Sequence, residues 1–379
     1  MPIRPCRLLP LFAIWLWGSA VHAQTPVSFR NEVMAVLARA GCNQGTCHGN
    51  LHGKGGFKLS LRGENPDFDF QALTREALGR RANAQEPDRS LILLKPAGQV
   101  PHEGGVRFGV HSDEYRILHD WIAQGMRRDP SGVPVLRKLV VTPTEQYLVQ
   151  PTNAITVRVQ ATFSNGATRD VSSLAVFEST NPKIEVSRNG HVQSDEPGET
   201  TIVVRYLDQQ ATALLAFVPE RKGFVWQRPK AHNYIDTHIF TRLEKLRMNP
   251  SELCSDSEFL RRAYLDLLGL LPTPAETRKF LAHPDREKLI DALLDRPEFA
   301  DTWALKWADL LKVEEKQLDK TGVKVFHGWI RKAMADNVPL NQFARELVAS
   351  RGSTYKHPPA NYYRALRDPQ TRSEAFAQV

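Results

Sequence analysis

Near residue 134 the apolar residues of this chain stop recurring every three or four positions and begin to alternate. Near residue 224 they return to helical spacing. A helical stripe and a two-residue alternation cannot be served by one kind of element. The chain must therefore be assembled from a helical part, a β part and a second helical part. Its 379 residues are enough for two or three cores of ordinary size.

The first part spans about 25–129. Ser28 predicts a helix N-cap, and Phe29, Val33, Val36 and Leu37 share one apolar stripe that Gly41 ends. A Gly-rich loop (49–63), a helix near 70–78 and a short apolar run at 90–94 follow. A last helix, capped by Ser112, has Tyr115, Leu118, Trp121 and Ile122 on its apolar face. Residues 130–134 form a linker. The second part, 135–219, holds β-branched runs at 139–141, 155–159, 184–186 and 201–204. Asn165-Gly166 and Asn189-Gly190 mark hairpin turns, so a β-sandwich is expected. The third part, 224–379, predicts helices at 234–246, 256–268, 274–281, 286–294, 299–311, 325–336 and 340–350. Asp256, Thr273-Pro274 and Asn341 are its start signals.

Residues 1–24 have the pattern of a secretory leader: Arg4 and Arg7, an apolar run from Leu8 to Trp17, and the small-residue site Val21-His22-Ala23. Export to the periplasm or cell surface is the expectation, and no stretch is long and apolar enough for a membrane span. Of four cysteines, Cys6 would leave with the leader. An odd remainder in an oxidising compartment argues against a disulfide scaffold.

Two of the remaining cysteines stand in Cys42-Asn43-Gln44-Gly45-Thr46-Cys47-His48. Two thiols followed at once by a histidine are the chemistry of covalent haem c attachment. The thiols form thioethers, and the histidine falls beneath the iron as proximal ligand. Four residues lie between the cysteines where the common signature has two. A Cys42–Cys47 disulfide with an incidental histidine is the competing reading. A zinc site would need a second Cys/His pair at ligand spacing, which is missing. Lys54, Lys58, Arg62, Arg80 and Arg81 are candidate partners for haem propionates, or else solvated surface charges. In the third part, Arg262 and Asp266 predict an ordinary i, i+4 ion pair, Cys254 a buried thiol, and Trp303, Trp307 and Trp329 core.

The formal charge is +8 with acids interleaved throughout, so no basic stripe supports nucleic acid binding. No nucleophile elbow and no phosphate loop is present. Catalysis by conventional groups therefore has little support, and the haem motif points to an electron-transfer protein rather than a catalyst.

The stretches Cys47-His48-Gly49, 55–63, 87–91 and 121–125 resemble the planctomycete-type cytochrome c domain. Residues 161–166, 169–171 and 189–192 resemble a bacterial Ig-like domain of group 2. Residues 259–266 and 303–311 resemble the domain of unknown function DUF1549. The expected architecture is thus multidomain: a helical cytochrome c-like domain (25–129), an all-β Ig-like sandwich (135–219) and a helical DUF1549-like domain (224–379). In that family the chain usually continues into a second Cys-x-x-Cys-His segment, so the resemblance implies that the third domain is incomplete here. Related small cytochromes often carry a distal methionine in the loop before the last helix. Here that loop reads Val100-Pro101-His102-Glu103-Gly104-Gly105, which makes His102 the candidate distal ligand.

The function expected is an exported module with one covalent haem c. It would exchange electrons with a redox partner protein, while the other domains dock to a partner or to envelope or polysaccharide material. A five-coordinate iron would instead suit a peroxidase or sensor. A haem-free surface-binding protein with a Cys42–Cys47 disulfide is the alternative from another class.

Overall fold

A computed structural model describes residues 26–377; the leader read at 1–24, with Cys6, lies outside the described residues. The chain divides into two compact units, Met1–Pro250 and Ser251–Val379.

In the first unit, the Ser28 hydroxyl accepts from Asn31 N, as its capping position predicts. The Asp129 carboxylate takes the two neighbouring free donors, Phe29 N and Arg30 N. The helix opens as a wide turn over Phe29–Val33 and continues as α1 (Met34–Arg39). Gly41 follows in the left-handed conformation and turns the chain into Cys42. The predicted helix near 70–78 lies earlier, at α2 (Pro66–Thr74), because Asn65 accepts from Phe68 N and Pro66 sits at the first helical position. The apolar run at 90–94 is α3 (Leu91–Leu94), and the Ser112-capped helix is α4 (Asp113–Ala123). Trp121 of α4 is buried between the rings of Phe29 and Phe70, at 5.3 and 6.2 Å.

The β part contains β1 (Leu136–Thr142), β2 (Glu145–Val149), β3 (Ala154–Thr156), β4 (Arg158–Phe163), β5 (Thr168–Asp170), β6 (Val176–Ser179), β7 (Glu185–Val186), β8 (His191–Gln193), β9 (Gly198–Tyr206) and β10 (Gln209–Val218). They form sheets of order β1-β4-β5, β2-β10-β9-β6 and β3-β8-β7. All pairs are antiparallel except β2 with β10. The run predicted at 155–159 is broken at Val157, because β3 pairs with β8 while β4 pairs with β1. Asn165-Gly166 and Asn189-Gly190 occupy the β4–β5 and β7–β8 turns as expected.

The parts read at 25–129 and 135–219 do not have separate interiors. One hydrophobic core runs from Phe29, Val33 and Leu118 through to Val159, Ile202 and Tyr206. Polar bonds cross the same seam. Tyr206 Oη donates to Asn31 O at 2.8 Å, Asn31 Nδ2 to Pro134 O at 2.8 Å, and Arg39 Nη1 to Ala175 O at 2.6 Å. The third part is divided too. Its first helix, α5 (Tyr234–Lys245), belongs to the first unit, where Arg242 pairs with Glu199 and Lys245 with Glu145.

The second unit is helical: α6 (Asp256–Leu268), α7 (Pro274–Ala282), α8 (Arg286–Leu294), α9 (Pro297–Leu310), α10 (Glu315–Ala335), α11 (Leu340–Ala349), α12 (Asn361–Ala365) and α13 (Pro369–Ala377). Thr273 and Glu276 form a full capping box at α7. Two predicted caps move. Ser255 rather than Asp256 caps α6, and α11 starts after Pro339, so Asn341 lies inside its first turn. Leu260, Tyr264, Leu268, Phe280 and Leu293 form one core. The other is built on Ala304, Phe326, Ile330, Phe343 and Leu347, with Trp329 stacked on Phe343 at 4.7 Å and Trp307 tilted against it at 5.1 Å. The expected Arg262–Asp266 pair is not formed. Among the described residues of this unit the arginines that do pair are Arg286 with Asp256, Arg296 with Glu276 and Glu298, Arg331 with Asp301 and Arg364 with Asp319. Cys254 is half-buried rather than buried. Among the described residues no helix is long and apolar enough to cross a membrane.

Candidate functional site

The six-residue step from Cys42 to His48 is a closed turn. Cys42 N donates to Leu37 O, which ties the loop to the end of α1, and His48 N donates back to Cys42 O at 3.0 Å. The Gln44 carbonyl accepts from both Cys47 N and Gly49 N. The four intervening residues are thus taken up in a loop closed by backbone hydrogen bonds. A side chain at Gly49 would fall on the Asn43 carbonyl, which is the physical reason that glycine follows the histidine here.

Cys42, Cys47, His48 and His102 all line one cavity of about 400 Å³, a size ordinary for a small-ligand site. His48 Nδ1 lies 2.9 Å from Phe57 O. A carbonyl oxygen can only accept, so Nδ1 carries the proton and Nε2 is left with its lone pair. His102 repeats the arrangement, with Nδ1 at 2.9 Å from Gly105 O. A ring held at Nδ1 with Nε2 available is the arrangement that orients an imidazole for ligation. Burial is the largest influence on His48 and holds it below the usual histidine range. The neutral form that ligation requires is therefore favoured.

Phe57 organises this wall. Its carbonyl accepts from His48 and from Lys54 N, its ring packs on His48 at 4.6 Å, and the Arg81 guanidinium covers it at 4.5 Å. Arg81 is itself tied to Ala72 O and Gly56 O. At His102, also in the lining, a Cβ at Gly104 would sit 2.9 Å from Cε1, so only glycine lets that ring lie along the loop.

All three cysteines of the described residues are free thiols. The Cys42 thiol is pushed up to about 12, by burial above all. It is therefore neutral at any physiological pH. Cys47 is half-buried and receives a hydrogen bond from Arg107 Nη2 at 3.4 Å.

Of the five basic residues considered for carboxylate pairing, Lys54, Arg80 and Arg81 line the cavity. Lys58 instead lies over the Phe68 ring and Arg62 faces a separate groove. Lys95 and Arg107 complete the cationic lining, against one carboxylate, Glu103. Sequence singles out no site role for Phe57, which enters only within the 55–63 resemblance, and none for Arg107. Phe57 acts through its backbone carbonyl, which side-chain identity does not reveal, and Arg107 reaches Cys47 across 60 positions of chain. Among the described residues no group of three His, Cys, Asp or Glu converges as a metal site.

Residues 234–378 match a family model described as a protein of unknown function (DUF1549). That assigns the helical C-terminal stretch, including α5, and covers less than half of the chain. No curated protein matches the sequence.

Proposed function

We propose that the first unit is an exported c-type cytochrome module that binds one covalent haem c and passes electrons singly to a redox partner protein. The observation that supports it is the convergence of two thiols and two imidazoles, each imidazole with Nε2 available, on one cavity. The donor set fits the group: Cys42 and Cys47 would hold it as thioethers, His48 as proximal and His102 as distal ligand. When bound, such a group supplies a one-electron Fe(III)/Fe(II) couple.

The chain's own residues do the rest. Phe57 O and Gly105 O orient the two rings. Lys54, Arg80 and Lys95 offer cations to carboxylates at the rim. The apolar wall formed by Ile92, Pro96 and Phe57 limits water. Ligation by both His48 and His102 would favour electron transfer over small-molecule chemistry. In this reading, residues 25–129 belong with cytochrome c-like domains and 135–219 with Ig-like domains. The leader at 1–24 directs the chain to the periplasm or cell surface, and the DUF1549-type stretch serves for docking.

The test is an absorption spectrum of the chain exported in a host with haem c maturation, oxidised and reduced. A reduced α-band that stays with the polypeptide after acid-acetone extraction is expected, and His102→Ala should convert the spectrum to a five-coordinate type. No haem band, with Cys42 and Cys47 oxidised to each other, would sink the reading in favour of a haem-free surface-binding protein. A wild-type spectrum already five-coordinate would favour the peroxidase or sensor alternative.

A further inference from the structure

One guanidinium borders two of the four converging groups. Arg107 Nη2 donates to Cys47 Sγ at 3.4 Å. The same Nη2 and the His102 Nε2 both lie within 3.4 Å of the point that a Cβ at position 104 would occupy. Among the described residues Arg107 forms no ion pair with a carboxylate, and neither does Arg188. The charge beside Cys47 and His102 thus has no ion-pair partner among the described residues, and Glu103 is the one carboxylate that shares its cavity.

The segment carrying Arg107 is held from two directions. Arg107 N donates to Pro96 O at 2.7 Å. From the β7–β8 turn, Arg188 Nη1 donates to Arg107 O at 2.5 Å. That turn is anchored in its own right: Arg39 Nη2 donates to Asn189 Oδ1 at 3.2 Å, while Arg39 Nε is paired with Glu114 at 2.9 Å in a buried ion pair. A line of contacts therefore leads from the helical part, through the sheet turn, to the backbone carbonyl of Arg107.

We infer that Arg107 sets the reduction potential of this site upward and that the sheet, through Arg188, holds it in position. The inference rests on the haem reading above. A fixed positive charge beside the residues that would hold the haem would favour its reduced state, and such an effect is strongest where water is excluded. Arginine is suited to this because it stays charged at every accessible pH. The sheet turn then has a direct part in the redox site, beyond that of a spacer.

The test is spectroelectrochemical titration of the whole haem-loaded chain and of Arg107→Lys, Arg107→Gln, Arg188→Ala and the Arg107→Gln/Arg188→Ala pair. Arg107→Lys keeps the charge and should stay near wild type. Arg107→Gln should lower the reduced-to-oxidised ratio at a fixed solution potential roughly tenfold, which is about 59 mV for one electron. Arg188→Ala should shift in the same direction by less, and the double variant no further than Arg107→Gln alone. The inference is overturned if Arg107→Gln superposes on wild type, or if Arg107→Lys falls as far as Arg107→Gln, since loss of packing would then explain both. Should Arg107→Gln not mature, Arg188→Ala decides, and an unmoved potential there overturns it. A wild-type chain that takes up no haem fails the haem reading itself, and the present inference with it.

Discussion

Arg39 shows how much one side chain can settle. Its guanidinium donates to Glu114, to Ala175 O and to Asn189, so it ties α1 to α4 and to two places in the β part. Both members of the Arg39–Glu114 pair are under 10% exposed, at 6% and 9% of their side-chain surface. Removing one partner of such a pair leaves the other charge buried and uncompensated, which costs about 3–5 kcal/mol. Glu114→Ala should therefore lower the stability of the first unit by that order, read as a drop in the urea midpoint at unchanged slope. A change below about 1 kcal/mol would mean that water reaches Arg39 and the pair is a surface one. The same residue marks a limit of sequence reading. Glu114 stands in the first turn of α4, where an acid suits the helix dipole, yet its partner lies 75 positions away and no local pattern announces it.

At the scale of elements, α10 is the most informative. It is written as one helix over Glu315–Ala335, but Asp319 breaks it with φ 58° and ψ 168°, a region that a residue with a Cβ enters only at some cost. The break is stabilised by the Asp319 carboxylate, which accepts from Gly322 N, Tyr355 Oη and Arg364 Nη2, each at 2.9 Å. The first of these is the N-cap pattern for the part of α10 that follows. These donors, the Gly322 N–H first, hold the carboxyl down to about 2 from an ordinary 3.8. An acid with its folded value depressed stabilises the fold above the unfolded value and loses that contribution as the pH falls through the folded one. The second unit should thus lose stability between about pH 4 and pH 2, and Asp319→Asn should flatten that part of the profile, by circular dichroism melts across the range. A variant whose acid profile matches wild type would remove Asp319 from the account. Sequence reading placed a helix at 325–336, the portion after the break. It missed the preceding turns because Gly322, three residues after Asp319, interrupts the apolar stripe.

For the whole molecule, the shared interior of the first unit carries the main prediction. Residues 26–129 on their own would expose Phe29, Val33 and the partners of Tyr206 that the sheets cover. Expressed alone they should yield little soluble, coloured product, whereas residues 26–250 should yield a folded one. The measurement is soluble yield and haem content of the two fragments side by side. A stable red fragment of 26–129 would show that the sheets add nothing to that interior. Between α5 and α6 the chain has no regular structure, and Leu253 there is 89% exposed. Limited proteolysis should cut in that stretch first.

Sequence by itself determined the local features. Capping at Ser28, Ser112 and Thr273, the Asn-Gly turns and the alternation of β9 all follow from side-chain chemistry acting within a few residues. Cys42, Cys47 and His48 were visible for the same reason, being neighbours in the chain. Only the tertiary structure brought His102 into the cavity that this loop lines, turned Phe57 O and Gly105 O onto the two rings, and brought Arg188 from the sheet to Arg107. It alone merged the first two parts into one interior and moved α5 into the first unit. The cause is the same in each case. A helical stripe or an alternating strand says that one face must be covered, but the hydrophobic effect is non-directional and leaves the covering surface to the packing of the whole chain.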